Sequence, residues 1–401
     1  MTAPRSVIVA GAGIGGLTAA LALARNGFRV VVLEQAERLA EVGAGIQLSP
    51  NATRLLFELG LGDRLLPHVV APAALCVREG ASGREIVRMP LAQAPARYGA
   101  AYWMIHRGDL QSVLATAVAE QRDIVLKLGT RMEDFATHAH GVTVSASRAG
   151  GLWNEHGHAL LAADGLWSQT AARFGIKAPP RFAGRSAWRA LVPVAGAPAE
   201  FRGPEIYLWL GSDAHVVHYP VKAGDVINVV VIANDTWNGT GWSVPAARDD
   251  LLARLPAARW AAPLQALVQL PASWLRWALY DRPPLPGYAH GAAALLGDAA
   301  HPMLPYLAQG AAMAIEDAVV AARCLARRPD DAAAALKTYS ALRRGRTRKV
   351  QRQAARNGSR YHHGGLSAAL RNAAMRAIGG ERLLRHYDWL YDWRPPAALS
   401  K

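Results

Sequence analysis

A chain of 401 residues, with 51% hydrophobic and 19% charged residues, has ample apolar material for a folded core, which excludes a disordered chain. Two cysteines, Cys76 and Cys324, lie far apart without zinc-like spacing, so neither a disulfide framework nor a metal site is expected and both read as packed thiols. A formal net charge of +15 raises nucleic acid or an acidic membrane as partners, and only its placement along the chain can weigh them.

The first apolar run, Val7-Ile8-Val9-Ala10, is too short for a signal peptide or a membrane span, so a cytoplasmic protein without integral membrane association is expected. Residues 5–10 predict a buried strand that leads directly into Gly11-Ala12-Gly13-Ile14-Gly15-Gly16. A helix-forming stretch to Arg25 follows, ended by Asn26-Gly27, and residues 28–33 predict a second strand closing on Glu34. Strand, glycine turn, helix, strand and acid complete a dinucleotide-binding βαβ unit: the glycines allow a tight turn, close approach of a diphosphate and close helix packing, and Glu34 is placed to accept hydrogen bonds from ribose hydroxyls.

Beyond this unit, residues 43–51 (Gly43-Ala44-Gly45-Ile46-Gln47-Leu48-Ser49-Pro50-Asn51) read as a loop, with a helix over 52–59 started by Asn51. Residues 74–102 carry strand-like alternation suited to a second sheet. A helix opens near Arg107 and runs to about Glu120, and further strands are expected near 124–126 and 142–144. The run 159–165 ends a strand in the turn Asp164-Gly165. From 184 to 277 the pattern changes to period-two alternation rich in Trp, Tyr and Val, the mark of an antiparallel sheet. Within it, residues 213–220 carry the most chemistry, with His215, Val217 and Tyr219 on one face and His218 on the other.

Apolar-strand character returns at 292–296, just before Gly297-Asp298-Ala299-Ala300-His301-Pro302-Met303-Leu304-Pro305-Tyr306-Leu307-Ala308-Gln309-Gly310, and a helix over 308–326 follows. The excess charge lies farther on: residues 323–385 carry 16 Lys and Arg against Asp330, Asp331 and Glu381, in helical stretches mixed with Ala and Leu. Without a base-stacking aromatic ladder, that pattern reads as a solvated helical face, or one that supports an anionic cofactor and attracts anionic substrates, rather than a nucleic-acid surface. The expected organisation is α/β: a Rossmann-like domain from residues 1–73, 104–180 and 281–326, interleaved with an antiparallel-sheet substrate domain from 74–103 and 181–280, and followed by a C-terminal helical region, 327–401.

Four ordered elements, namely the glycine turn with Glu34, Arg107 within His-Arg-x-x-Leu, Asp164-Gly165, and Gly297-Asp298 through Gln309-Gly310, make the chain resemble the single-component, class A flavoprotein aromatic hydroxylases of the salicylate, 3-hydroxybenzoate and 6-hydroxynicotinate type. The resemblance spans nearly the whole length and implies a para-hydroxybenzoate hydroxylase-like fold. It also implies bound FAD, transient NADH (or NADPH), O2 and a small hydroxylated aromatic acid, joined through a flavin C4a-hydroperoxide. On that pattern Gly11, Gly13, Ile14, Gly15, Gly16, Glu34, Gly45, Arg107, Asp164, Asp298, Gln309 and Gly310 hold the cofactor, with Gly43 and Gly45 bracketing a mobile flavin ring against residues 302–310. Gln47, Pro302, Leu304, Pro305 and Tyr306 line the pocket, and His301 is structural. The His-Tyr spacing resembles the hydroxybenzoate and hydroxynicotinate branch, making His215 the base, with a near-neutral pKa, for the phenolic proton and Tyr219 its hydrogen-bonding partner.

One departure is plain: where the family reads Asp-Gly-x-x-Ser-x-x-Arg, this chain has Ala171, with Arg173 two places later. A homodimer is the expected assembly. Two other readings use parts of the chain, a nicotinamide dehydrogenase built on the first fingerprint alone and a nucleic-acid or membrane binder built on the basic C-terminal segment.

Overall fold

The computed structural model describes residues 5–39, 44–176, 179–239 and 241–399. Its first sheet has six strands. Ser6–Ala10 lies between Arg29–Leu33 and Ala159–Ala162, with Ile124–Lys127 outside one and Ala293–Leu295 outside the other, all parallel. The short strand Ala289–His290 closes the edge in antiparallel sense. Val7, Ile8 and Val9 have no exposed surface, as parallel strands covered on both faces require. On one face the Ile14–Arg25, Arg107–Ala119 and Gly310–Arg327 helices pack; Val142, Val144 and Ala146 cover Ile8 and Leu160 on the other.

Those three residues belong to a three-stranded antiparallel sheet, Arg131–His138, Gly141–Arg148 and Gly151–Gly157, of which only the middle strand is apparent in the sequence. Its outer strands alternate between exposed and half-buried positions, and their polar composition hides the pattern.

The second large sheet has eight strands, Ser243–Ala247, Ser273–Asp281, Arg181–Pro193, Val226–Asn234, Ala214–Val221, Ile206–Leu210, Leu75–Glu79 and Glu85–Met89 in spatial order. It is antiparallel except where Leu75–Glu79 runs parallel to Ile206–Leu210, a join that only the returning chain segment can make. The short helices Arg248–Leu252 and Ala262–Gln269 interrupt the expected all-strand stretch and cover its outer face. The expected strand-like run over 74–102 likewise ends in a helix, Ala94–Tyr98.

A small sheet of Gly45–Leu48, Trp103–His106 and Val69–Val70 lies between the two large ones and brings Gly45 against the eight-stranded sheet. The helix expected from Asn51 starts at Pro50 with Ser49 as N-cap, because proline at the first helical position is already held at a helical φ. Asn51 is then free to enter a buried polar network. The Ala332–Tyr361 helix, capped by Asp331 accepting from Ala334 N–H at 2.9 Å, carries much of the basic excess. Two of its arginines are not on a solvated face. Arg343 is buried and Arg346 half-buried, the first bonded to Glu316 and Asp317 and the second to Glu316. Both cysteines are buried, and burial pushes the Cys76 thiol to about 11 and that of Cys324 to about 12.

Candidate active site

The glycine turn is built by close approach. At Gly11, φ is +102° and a side chain would meet the Ala163 carbonyl oxygen at 2.5 Å; at Gly16 a methyl group would lie 1.9 Å from the Gly11 oxygen. Gly15 serves helix packing, since a methyl group there would meet Leu296 at 2.8 Å and Ala314 at 3.2 Å. Gly13 differs: nothing lies within 4 Å, and it is the N-cap of the Ile14–Arg25 helix, whose first amides receive no capping side chain. An open glycine at an uncapped helix N-terminus suits a diphosphate. Ile14, buried, begins that helix. Glu34 is fixed beside the turn, its carboxylate accepting from Ala12 N–H at 2.7 Å and from Ala36 N–H at 2.8 Å.

Asp164 accepts from the Thr170 hydroxyl at 2.8 Å through Oδ2, while its Oδ1 is buried without a hydrogen-bond partner. Asp298 presents its side chain to solvent yet stands deep enough in protein for burial to raise its carboxyl pKa, with His301 and Arg107 opposing. A carboxylate lining a deep cleft accounts for both. Arg107, half-buried at the start of the Arg107–Ala119 helix, pairs with no carboxylate among the described residues. Arg173 does not reach the turn and pairs with Asp134 instead; Ala171 is simply buried. Arg282, from the segment after the Ser273–Asp281 strand, is the cation beside the turn, with Nη1 donating to Ala299 O at 3.3 Å and Asp164 opposing the effect of burial on its pKa.

The loop after Asp298 is held from behind. Asp317 accepts from Gly297 N–H at 3.0 Å and bonds His301 and Arg343, so His301 is structural. Glu316 binds Arg343, Arg346 and Asn51. The Gln309 side chain is occupied by Ser49 and Asn51 at 2.8 and 3.2 Å, which leaves its main chain and Gly310 to face the cleft at an uncapped helix N-terminus. Just before them Ala308 has φ of +51°, a conformation that costs a residue with a Cβ about 1 kcal/mol or more. An orphaned carboxylate oxygen, an unpaired arginine and two open helix N-termini fit the residues present to FAD.

The inner face of the eight-stranded sheet carries the second constellation. Arg189 stands opposite Val230, and Val230 opposite Val217, so Arg189 shares a face with His215, Val217 and Tyr219. Its guanidinium lies 5.6 Å from the Trp277 ring centre, has a buried Nε without a partner, and pairs with no acid among the described residues. Asn228, opposite Tyr219, accepts Gly45 N–H at 2.8 Å, and its amide nitrogen is unpartnered. Gly45 is obligatory there, because a methyl group would meet Tyr219 at 2.7 Å. Gly43, expected to act with Gly45, lies outside the described residues.

Burial holds the Tyr219 phenol well above its usual pKa, with Arg189 and Gln47 opposing, so Tyr219 remains a hydrogen-bond donor. Gln47 accepts from the Tyr102 hydroxyl at 2.7 Å. Tyr306 packs 5.4 Å from the His215 ring, and its hydroxyl accepts from Arg185 at 3.2 Å. Leu304 joins Tyr306, Ile232 and Trp277 in an apolar wall; Pro302 is fixed through its carbonyl by Gln351 at 2.9 Å, and Pro305 is half-buried between them.

His215 differs from expectation in one respect. Burial, with His362 and Arg185 adding to it, depresses its pKa well below the ordinary histidine value rather than leaving it near neutral. Its Nδ1 bonds Nε2 of His362 at 2.8 Å, and Nε2 has no protein partner among the described residues. His218 is on the other face, accepting from Trp209 Nε1–H at 3.0 Å and pushed to about 3 by burial, a core residue as its position on the strand implies.

Arg189, Asn228, Arg282 and His362 were not singled out from sequence. For Arg189 a signal existed: a lone arginine in the apolar run Ala187-Trp188-Arg189-Ala190-Leu191.

Known proteins are similar to this chain in sequence and in fold. The FAD binding domain family matches residues 5–354. The 3-hydroxybenzoate 6-hydroxylase 1 of Aquipseudomonas alcaligenes is 37% identical over 389 residues, covering 96% of this chain and 97% of that protein. A salicylate hydroxylase substrate complex is similar at a TM-score of 0.82, with 27% identity over 98% of this chain and 97% of the other. The Klebsiella pneumoniae HpxO structure complexed with FAD and uric acid has a TM-score of 0.82 and 28% identity, with 95% of each chain covered.

Proposed function

The chain belongs to the FAD-binding family of flavin-dependent aromatic monooxygenases, and on that premise we propose that it hydroxylates a small aromatic acid already carrying a hydroxyl group, of hydroxybenzoate or salicylate type. The observation that carries this reading is a cation that pairs with no acid among the described residues: Arg189 stands on the same sheet face as His215 and Tyr219. A guanidinium fork suits a carboxylate, and a neutral imidazole nitrogen suits a phenolic proton. One ligand that carries both groups satisfies both residues.

The glycine turn, Glu34, Arg107, Asp164, Asp298 and the 309–310 amides would hold FAD, which with NAD(P)H and O2 would supply the activated oxygen. The chain's own residues do the rest. Arg189 orients the acid, His215 Nε2 accepts the phenolic proton, and Tyr219 donates a hydrogen bond that fixes the ring. Val217, Ile232, Trp277, Leu304 and Tyr306 form walls that exclude water. We take NADH as the reductant. A cytoplasmic setting is supported by two buried, unpaired thiols, and among the described residues no helix is long and apolar enough to cross a membrane. A homodimer is supported by exposed Leu366 and Leu370, one turn apart on the Gly365–Ile378 helix.

The test measures NADH and NADPH oxidation, oxygen uptake and peroxide release by the holoenzyme. The panel is 3-hydroxybenzoate, salicylate, 4-hydroxybenzoate, 6-hydroxynicotinate and phenols lacking the carboxylate. A hydroxylated acid should stimulate NADH oxidation with product in place of peroxide. Equal coupling by neutral phenols would refute the reading, and efficient coupling by 6-hydroxynicotinate alone would move it to the heteroaromatic branch.

A further inference from the structure

Asn228 carries a hydrogen-bonding capacity that the fold leaves half used. It lies on the Val226–Asn234 strand opposite Tyr219, on the face shared with Val217, Val230 and Arg189, and it has no exposed surface. Chemistry sets the orientation of its amide. Gly45 N–H can only donate, at 2.8 Å, so the atom facing it is the carbonyl oxygen and the NH2 group is turned away from Gly45. That nitrogen has no partner among the described residues. Tyr219, beside it, is directed in the same sense. Gln47 Oε1 is taken by the Tyr102 hydroxyl at 2.7 Å, so the Gln47 amide nitrogen is the group that bonds the Tyr219 oxygen, and Tyr219 keeps its own hydrogen to give.

We propose that Asn228 is a specificity-determining residue, whose amide N–H donates to an oxygen on the aromatic ring of the substrate and rejects a ring amine at the same position. The inference rests on the reading of the substrate as a hydroxylated aromatic acid, and it narrows that class to rings that present an oxygen acceptor beside Tyr219.

Donors select acceptors. A ring hydroxyl or its anion offers lone pairs to both Asn228 and Tyr219, whereas an aromatic amine has its lone pair delocalised into the ring and confronts the two donors with hydrogens of its own. A buried NH2 group without an acceptor is costly in the free protein; a ring oxygen relieves that cost and an amine leaves it in place. Arg189 serves the carboxylate that both kinds of acid carry, so it cannot tell them apart. A tie between Gly45 and the sheet accounts for Asn228 Oδ1 alone, and any side chain with an acceptor there would serve it.

The experiment titrates the holoenzyme with acids that differ only in the ring substituent: 3-hydroxybenzoate with 3-aminobenzoate, salicylate with 2-aminobenzoate, and 4-hydroxybenzoate with 4-aminobenzoate. Kd is read from perturbation of the flavin spectrum. In the pair it binds most tightly, the parent should favour the hydroxyl member by about tenfold or more. Asn228→Asp keeps an acceptor for Gly45 N–H and exchanges the donor for a second acceptor, so the ratio should move toward the amine by about tenfold or more. Asn228→Ala has neither group and should narrow the ratio by about fivefold. Both members of a pair carry the carboxylate and meet the same flavin, so changes at Arg189 or Gly45 cancel in the ratio. A parent without preference for the hydroxyl overturns the assignment, as does a parental ratio in whichever variants retain flavin. A higher Kd for FAD in Asn228→Asp with the ratio unmoved overturns it too, giving the NH2 group to the cofactor. If no acid perturbs the parent flavin, the substrate reading falls and the assignment with it; binding with an unmoved ratio removes the assignment alone.

Discussion

Arg189→Met separates the pocket reading from a structural one, because the two predict opposite signs. Arg189 is half-buried, its Nε lacks a partner, and no acid of the described residues offsets its charge. Burial accordingly lowers the guanidinium pKa, with Tyr219 opposing and Arg107 adding to the effect. Replacing it with an apolar side chain of similar length relieves desolvation of about 1–3 kcal/mol and forfeits a cation–π contact with Trp277 of about 0.5–1 kcal/mol. Stability of the unliganded protein should be unchanged or slightly higher, read as a denaturant midpoint that does not fall. Binding should move the other way. A charge-assisted hydrogen bond to a carboxylate is worth about 1.5–3 kcal/mol, so the Kd for 3-hydroxybenzoate, titrated through the flavin spectrum, should rise by about 10- to 150-fold. The Kd for 3-hydroxybenzyl alcohol, which lacks the charge, should change little. Equal weakening of acid and alcohol, or a loss of more than about 2 kcal/mol in stability, would show that Arg189 holds the sheet and not the ligand.

Three further outcomes follow from the geometry. Gly16→Ala places a methyl group 1.9 Å from the Gly11 oxygen; the turn must open at a cost of about 1–3 kcal/mol, and the protein should purify largely without flavin, so parental FAD content would refute the assignment. Arg343→Met leaves Glu316 and Asp317 buried without their main cation and should cost about 3–5 kcal/mol in chemical denaturation, whereas a loss under about 1 kcal/mol would mean that Arg346 and His301 suffice. His218 titrates at about 3 when folded and near 6.5 when unfolded, so the unfolded chain alone takes up the proton between these limits. The stability it contributes is full above pH 6.5 and is lost as pH falls, by about 1.4 kcal/mol per unit and about 2 kcal/mol by pH 5. His218→Gln, which keeps an acceptor for Trp209, should flatten the stability slope between pH 6.5 and 5, and an unaltered slope would contradict the buried neutral ring.

The dinucleotide unit was legible because its requirements are local. Gly11, Gly13 and Gly16 act within one turn, and the apolar strand before them and Glu34 after them lie within about 30 residues. That His215 and Tyr219 share a face was legible for a similar reason, since alternation along one strand places them there whatever lies opposite. The three-stranded sheet over residues 131–157 was not, because its outer strands face solvent and carry no apolar repeat. The parallel join of Leu75–Glu79 to Ile206–Leu210 was hidden too, because no pattern in either strand names its partner.

Arginine shows where sequence reading stops. Arg343 and Arg189 both interrupt stretches rich in Ala and Leu, and from the chain alone either suits a solvated face. In the fold, Arg343 meets Glu316 and Asp317, brought to it by the antecedent helix, and becomes a structural strut behind the Gly297 loop. Arg189 meets Trp277, Tyr219 and no acid. The difference is a missing partner, a property of three-dimensional company and not of residue type, and a buried cation is stable without a protein anion only where its cost is small or a ligand supplies the charge. The same logic applies to the orphaned Oδ1 of Asp164 and the amide of Asn228. Arg189 and Asn228, which the fold leaves incomplete, were not named from sequence, and that incompleteness points toward the molecules this protein binds.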